Sequence, residues 1–126
     1  MSGPSRPNPR QTGQEAERYA ADLLRRRGYT ILESNVRYTM GEIDLIAEDG
    51  ATLVFVEVRA RRPGPFGQAV ETLTYQKRRR VNRAVERFLQ ERRIDPSRPI
   101  RIDVVAIDLD AAGKPGRAEV IADAFS

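Results

Sequence analysis

The chain has 126 residues, 40% of them hydrophobic and 32% charged, which is enough for one domain whose core needs no metal or disulfide staple. It contains no cysteine and no histidine, which excludes disulfides, thiolate nucleophiles, cysteine-bound zinc and imidazole chemistry. Any metal must therefore sit among oxygen ligands, which suits Mg²⁺ or Mn²⁺. With 22 Lys+Arg against 18 Asp+Glu the formal charge is +4 and the pI about 9.9, which favours a polyanionic partner over a merely basic surface only weakly.

Residues 1–11, rich in Pro, Ser, Gly and Arg without periodicity, read as a disordered arm, leaving 12–126 as a single domain. Ala16, Tyr19, Ala20, Leu23 and Leu24 recur at helical spacing, with Thr12 as the expected N-cap and Gly28 as the stop. A strand is expected over 29–36. GEIDLIA and TLVFVEVR then flank Glu48-Asp49-Gly50-Ala51, and Asp-Gly between two strand-like runs signals a hairpin. RRPGPFGQAVETL reads as a Gly/Pro loop. A basic helix over about 74–92 follows, with Val81, Ala84, Val85, Phe88 and Leu89 as its apolar stripe. A strand at 100–109, a polar turn (AAGKPG) and a last strand near 119–124 complete the order α-β-β-β-α-β-β. No apolar run approaches the roughly 18 residues of a membrane span, and no hydrophobic signal core opens the chain, so a cytoplasmic location without membrane contact is expected.

The hairpin carries the chemistry. With Asp49-Gly50 at its tip, Ile46 faces Leu53, Asp44 faces Phe55 and Glu42 faces Glu57. Strand alternation then gathers Glu42, Asp44, Phe55, Glu57 and Arg59 on one face. Ile43, Leu45, Ala47, Val54, Val56 and Val58 form a purely apolar opposite face. Carboxylates this close repel and need a cation: a divalent ion bridging Asp44 and Glu57, or a neighbouring arginine such as Arg59. A salt-bridged strand end, balanced by Arg59, Arg61 and Arg62, is the plainer alternative.

The D-x12-E-x-R spacing of Asp44, Glu57 and Arg59 resembles the PD-(D/E)xK nuclease superfamily, and the element order is similar to its restriction-endonuclease-like core, a central mixed sheet flanked by helices. More closely, the chain resembles the YraN-like family of small bacterial proteins. The matching positions are Gly13 to Glu17, Gly28-Tyr29, Asn35, Gly41 to Ala47, Phe55 to Arg61, Phe66-Gly67 and Lys77, within a match covering roughly residues 12–124. The resemblance implies Asp44 and Glu57 as metal-binding and catalytic acids, the Val58 carbonyl as a further ligand, and Glu17 as a first-helix glutamate that helps hold the metal. Glu42 is read either as a supporting acid or as an arginine partner.

Two positions depart from the pattern. Ala16 replaces a small glycine. Arg59 stands where the superfamily has a catalytic lysine, and a guanidinium stays protonated, so it can stabilise charge but not act as a base. Lys77, at the start of the basic helix, is the alternative source of an amine, against the plainer reading of a solvated helix lysine. Along that helix Arg79, Arg83 and Arg87 form an i, i+4, i+8 ridge which, with Arg61 and Arg62, suits contacts to a phosphate backbone. The expected function is Mg²⁺- or Mn²⁺-dependent phosphodiester hydrolysis on DNA, including branched or repair intermediates. The alternative is a nucleic-acid-binding module of the same fold that cuts poorly. Junction-resolving enzymes of similar fold act as dimers, so the resemblance extends to a homodimer, although no sequence feature reports an interface.

Overall fold

Two helices and five strands form in the order α1 (Pro9–Arg26), β1 (Thr30–Tyr38), β2 (Gly41–Asp49), β3 (Thr52–Arg61), α2 (Tyr75–Glu91), β4 (Ile100–Leu109) and β5 (Pro115–Ile121), in a computed structural model that describes residues 9–62 and 75–125. Residues 1–8 of the expected arm and residues 63–73 of the expected Gly/Pro loop, with its Phe66-Gly67 pair, lie outside the described residues. The strands build one sheet in the spatial order β1-β2-β3-β4-β5. Every neighbouring pair is antiparallel except β3 and β4, which run parallel and are joined through the segment that contains α2. This is the expected mixed α/β sheet with helices on its faces.

Period-2 alternation sends the two sides of each strand to different helices. Leu45, Ala47, Val54, Val56, Val105, Ile107 and Leu109 pack with Ala16, Ala20, Ala21 and Leu24 of α1. Ile46, Leu53 and Phe55 pack with Val81, Ala84, Val85 and Phe88 of α2. Burying each such side chain contributes about 1.5–3 kcal/mol for the larger apolar residues. Phe55 meets Phe88 edge-on with ring centroids 5.6 Å apart. Among the described residues no helix is long and apolar enough to cross a membrane.

Four expectations are corrected. Helix α1 starts at Pro9, so Thr12 is not its N-cap and residues 9–11, expected in the arm, are helical; proline is favoured in a first helical turn because its missing N–H would find no partner there. The α1 stop is as expected: Gly28 has φ 93°, with Tyr29 N–H donating to the Leu24 carbonyl and Gly28 N–H to that of Arg25, which closes the helix and aims Tyr29 back at the sheet.

The β2–β3 register also differs. Asp49 pairs with Thr52, Ile46 with Phe55 and Leu45 with Val56, in place of the expected pairs. The tip is Gly50-Ala51, with Gly50 at φ 61° in the first central position, as a type II′ turn requires. The parity of the register survives, so Asp44 moves from opposite Phe55 towards Glu57. The expected apolar face is broken as well, because Ile43 packs in the α2 cluster while Leu45 packs under α1. Five consecutive residues of β2, Ile43 to Ala47, are buried, as no simply alternating strand with one open face would be. Finally, β5 begins at Pro115, not near 119. Asp110 Oδ1 accepts the N–H groups of Ala112 and Lys114, so the turn closes early and pairing resumes at once.

Candidate active site

The site lies where β2 and β3 part. Their described pairing stops at Leu45–Val56, and the next main-chain donor of β3 in reach, Val58 N–H, bonds to the Asp44 side chain at 2.8 Å instead. Asp44 is 7% exposed and Glu57 5%. Burial pushes the Asp44 carboxyl from its ordinary 3.8 up to about 8. The Glu57 charge adds to the rise, the Val58 N–H opposes it, and Glu17 and Glu42 contribute smaller repulsions.

Two cations answer Glu57. Lys77 Nζ of α2 stands 3.4 Å from Glu57 Oε1, and Arg59 Nε 3.7 Å from the same oxygen. The second distance is too long for a hydrogen bond. Arg59 Nε and Nη2 are buried and have no hydrogen-bond partner among the described residues, nor has the buried hydroxyl of Tyr38. Buried donors without partners are uncommon enough to mark a place built for something other than stability.

Glu17 reaches the same site from α1. Its carboxyl is raised mainly by burial, against a lowering hydrogen bond from Asn35, and it feels the charges of Glu42, Arg37 and Glu57. Asn35 is in the left-handed region at φ 54°, a conformation asparagine tolerates better than most residues. Glu42 stands 3.4 Å from Arg37 in an exposed pair and its charge also bears on Asp44; it does not stand across from Glu57, because the β2–β3 register is shifted by two and its described pairing ends at Leu45–Val56.

The donor set suits a hard cation. Two buried, mutually repelling carboxylates offer only oxygen, and Glu17 acts electrostatically on both. Among the described residues no three acidic side chains converge closely enough to hold an ion unaided. An ion held here would take main-chain and water oxygens for the rest of its shell.

The expected phosphate-binding arginines divide. Arg61 is tied to Asp108 of β4, its partner in the parallel register. Arg62 is exposed at the end of β3. Arg79 lies over the Tyr75 ring, and Arg87 lies over Tyr38 while pairing with Glu91 at 3.5 Å. Only Arg83 of the predicted ridge lines the groove of about 690 Å³ above Glu57; its other cations are Lys77, Arg80 and Arg37. In the sequence Arg80 is only one member of the helix's basic run, outside the 79/83/87 ridge, and Arg37 carries no expectation. The i, i+3, i+6 spacing of Lys77, Arg80 and Arg83 was the available signal.

A third buried carboxylate, missed from the sequence, shows what a satisfied one looks like here. Asp103 is fully buried and accepts from Arg101 Nε at 2.8 Å and Nη2 at 2.9 Å, from the Tyr29 hydroxyl at 3.0 Å and from Asp123 N–H at 2.9 Å. Arg101 also bonds to Tyr29 and Asp49. The R-x-D pair on one strand face was its sequence signal.

Related proteins share this sequence along nearly its whole length. The pattern of the "Uncharacterised protein family UPF0102" matches residues 16–107. A UPF0102 protein of Shewanella pealeana is 46% identical over 99 residues, covering 79% of this chain and 87% of that protein. One from Pseudomonas aeruginosa is 41% identical over 120 residues, 95% of this chain and 96% of the relative. One from Symbiobacterium thermophilum is 41% identical over 116 residues, 92% and 97% of the two chains. With identity this high over so much of both chains, the protein belongs to the UPF0102 family.

Proposed function

We propose that the chain is a metal-dependent endonuclease-type domain on a restriction-endonuclease-like core, hydrolysing phosphodiester bonds in DNA, including branched or repair intermediates. The observation that supports it most is the pair of buried acids Asp44 and Glu57, the Asp44 carboxyl pushed up to about 8, with Lys77 3.4 Å and Arg59 3.7 Å from Glu57. Perturbed carboxyls of this kind gather at functional sites.

Asp44 and Glu57 would hold the Mg²⁺ or Mn²⁺ ion, with the Val58 carbonyl and Glu17 as the further ligands that the PD-(D/E)xK resemblance implies. When bound, that ion supplies Lewis acidity and a water of lowered pKa. Arg59, always protonated, balances negative charge beside Glu57 and does not exchange a proton. Purified protein should cut linear or four-way DNA with Mg²⁺ or Mn²⁺, and Asp44→Asn should lower the rate by about 100-fold or more. The reading fails if the wild type neither cuts DNA nor melts at a higher temperature with either ion, or if cutting survives Asp44→Asn.

A second reading rests on Arg59 in the lysine position: the same fold binds nucleic acid and cuts it poorly. Salt-sensitive DNA binding without cleavage, even in Arg59→Lys, would favour that module over the enzyme.

A further inference from the structure

Gly41 opens β2 against α2 so closely that a Cβ placed there would lie 2.6 Å from the Arg80 carbonyl oxygen. The helix backbone rests on the strand at this point. Lys77 and Arg83, about one turn to either side of Arg80, therefore flank the contact on the same side of the helix. Across the groove stands Arg37 of β1, two-thirds exposed. Tyr38, exposed Met40 and buried Glu57 line the same groove.

Lys77, Arg80 and Arg83 of the helix and Arg37 of the strand side thus line one trough, together with Glu57 and with Glu42, the exposed partner of Arg37. Arg79 and Arg87, the outer arginines of the helix, are not among the residues that line it. A trough with positive charge on both walls matches one chain of phosphates lying between them. A duplex backbone would sit on an outward-facing ridge such as the 79/83/87 line.

We infer that this groove is the track of a single nucleic-acid strand, with Lys77, Arg80, Arg83 and Arg37 contacting its phosphates and Lys77 nearest the acids. The inference rests on the nucleic-acid reading above and narrows it to an unpaired strand, such as a flap or a junction arm opened at its branch. It assigns Lys77 to substrate contact through charge alone.

The test is binding of a fluorescently labelled single-stranded oligodeoxynucleotide, followed by anisotropy across a NaCl series in EDTA, so that cutting does not intervene. Removing one phosphate-binding cation should reduce the log–log salt slope by about 0.7. Arg80→Gln/Arg83→Gln should therefore flatten it by roughly 1.4 and Lys77→Gln by roughly 0.7. Arg79→Gln/Arg87→Gln should leave it unchanged. Met40→Glu, which removes no cation, should weaken binding at least about tenfold by placing a carboxylate among the phosphates.

The inference is overturned if the wild type binds duplex but not single strand, if it binds neither, or if the Arg79/Arg87 pair carries the slope. Cleavage with Mg²⁺ or Mn²⁺ judges the catalytic reading separately. Groove-dependent binding without cleavage keeps the track and discards the enzyme. Cleavage with normal binding by the groove variants does the reverse.

Discussion

Asp103 and Asp44 are two carboxylates in the same sheet, both removed from water, and they are treated in opposite ways. Asp103 sits in a fork-on-fork pair with Arg101 and takes further hydrogen bonds from Tyr29 and Asp123. Asp44 receives one main-chain N–H and has another acid for a neighbour. Burying a charge is costly, and a fully bonded ion pair offsets that cost where a lone carboxylate cannot. The first arrangement joins β4 to the hairpin tip and to the end of the chain. The second sets two buried acids side by side beneath a groove, where a bound cation would relieve their repulsion.

If this contrast is right, Asp103→Ala should be the most damaging change, because it takes the bidentate partner from the Arg101 guanidinium and leaves it one bond each to Asp49 and Tyr29. A loss of about 3–5 kcal/mol in a urea melt is expected. A loss near that of an ordinary surface substitution would show that Asp103 is dispensable.

The next effect depends on pH. The folded Asp44 carboxyl titrates near 8, above its ordinary 3.8, so the folded state holds a proton that the unfolded state has released. Stability from this group is therefore present in acid and is lost as pH rises between about 4 and 8. Asp44→Asn, which cannot ionise, should gain on the wild type across that window in divalent-free buffer, measured as the difference in urea midpoints. A variant that instead falls further behind as pH rises would make Asp44 a structural anion like Asp103.

The smallest effect is expected for Tyr29→Phe. It removes one donor to Asp103 and one acceptor for Arg101 while the ion pair stays intact, a loss of about 1.5 kcal/mol in the same melt. A loss equal to that of Asp103→Ala would mean that Tyr29, not the ion pair, holds the cluster.

These two acids were not equally legible in the sequence. Asp44 and Glu57 stood out because they interrupt strands that are otherwise apolar. Asp103 lies in IRIDVV, where alternation hides a charge as readily as it shows one, and its partner Tyr29 comes from the far side of α1. The limits of β4 and the apolar stripe of α2 followed from periodicity alone. The hairpin tip did not, because glycine at positive φ can serve as either central residue of a tight turn, so Asp49-Gly50 and Gly50-Ala51 fit the same letters. Which helical cations reach the acids depends on how α2 lies against β2, a matter of tertiary packing that no local pattern carries. Of the 79/83/87 ridge, a sound helical spacing, Arg83 alone lines the groove.

The contact at Gly41 settles that packing. It is main chain against main chain, so no rotamer change can ease it and no neighbouring side chain can substitute for it. Helix and hairpin meet there as a lever meets a fulcrum. The reach from the acid of β3 to the cations of α2 is set by where two backbones touch, and it would change only if the helix itself were moved.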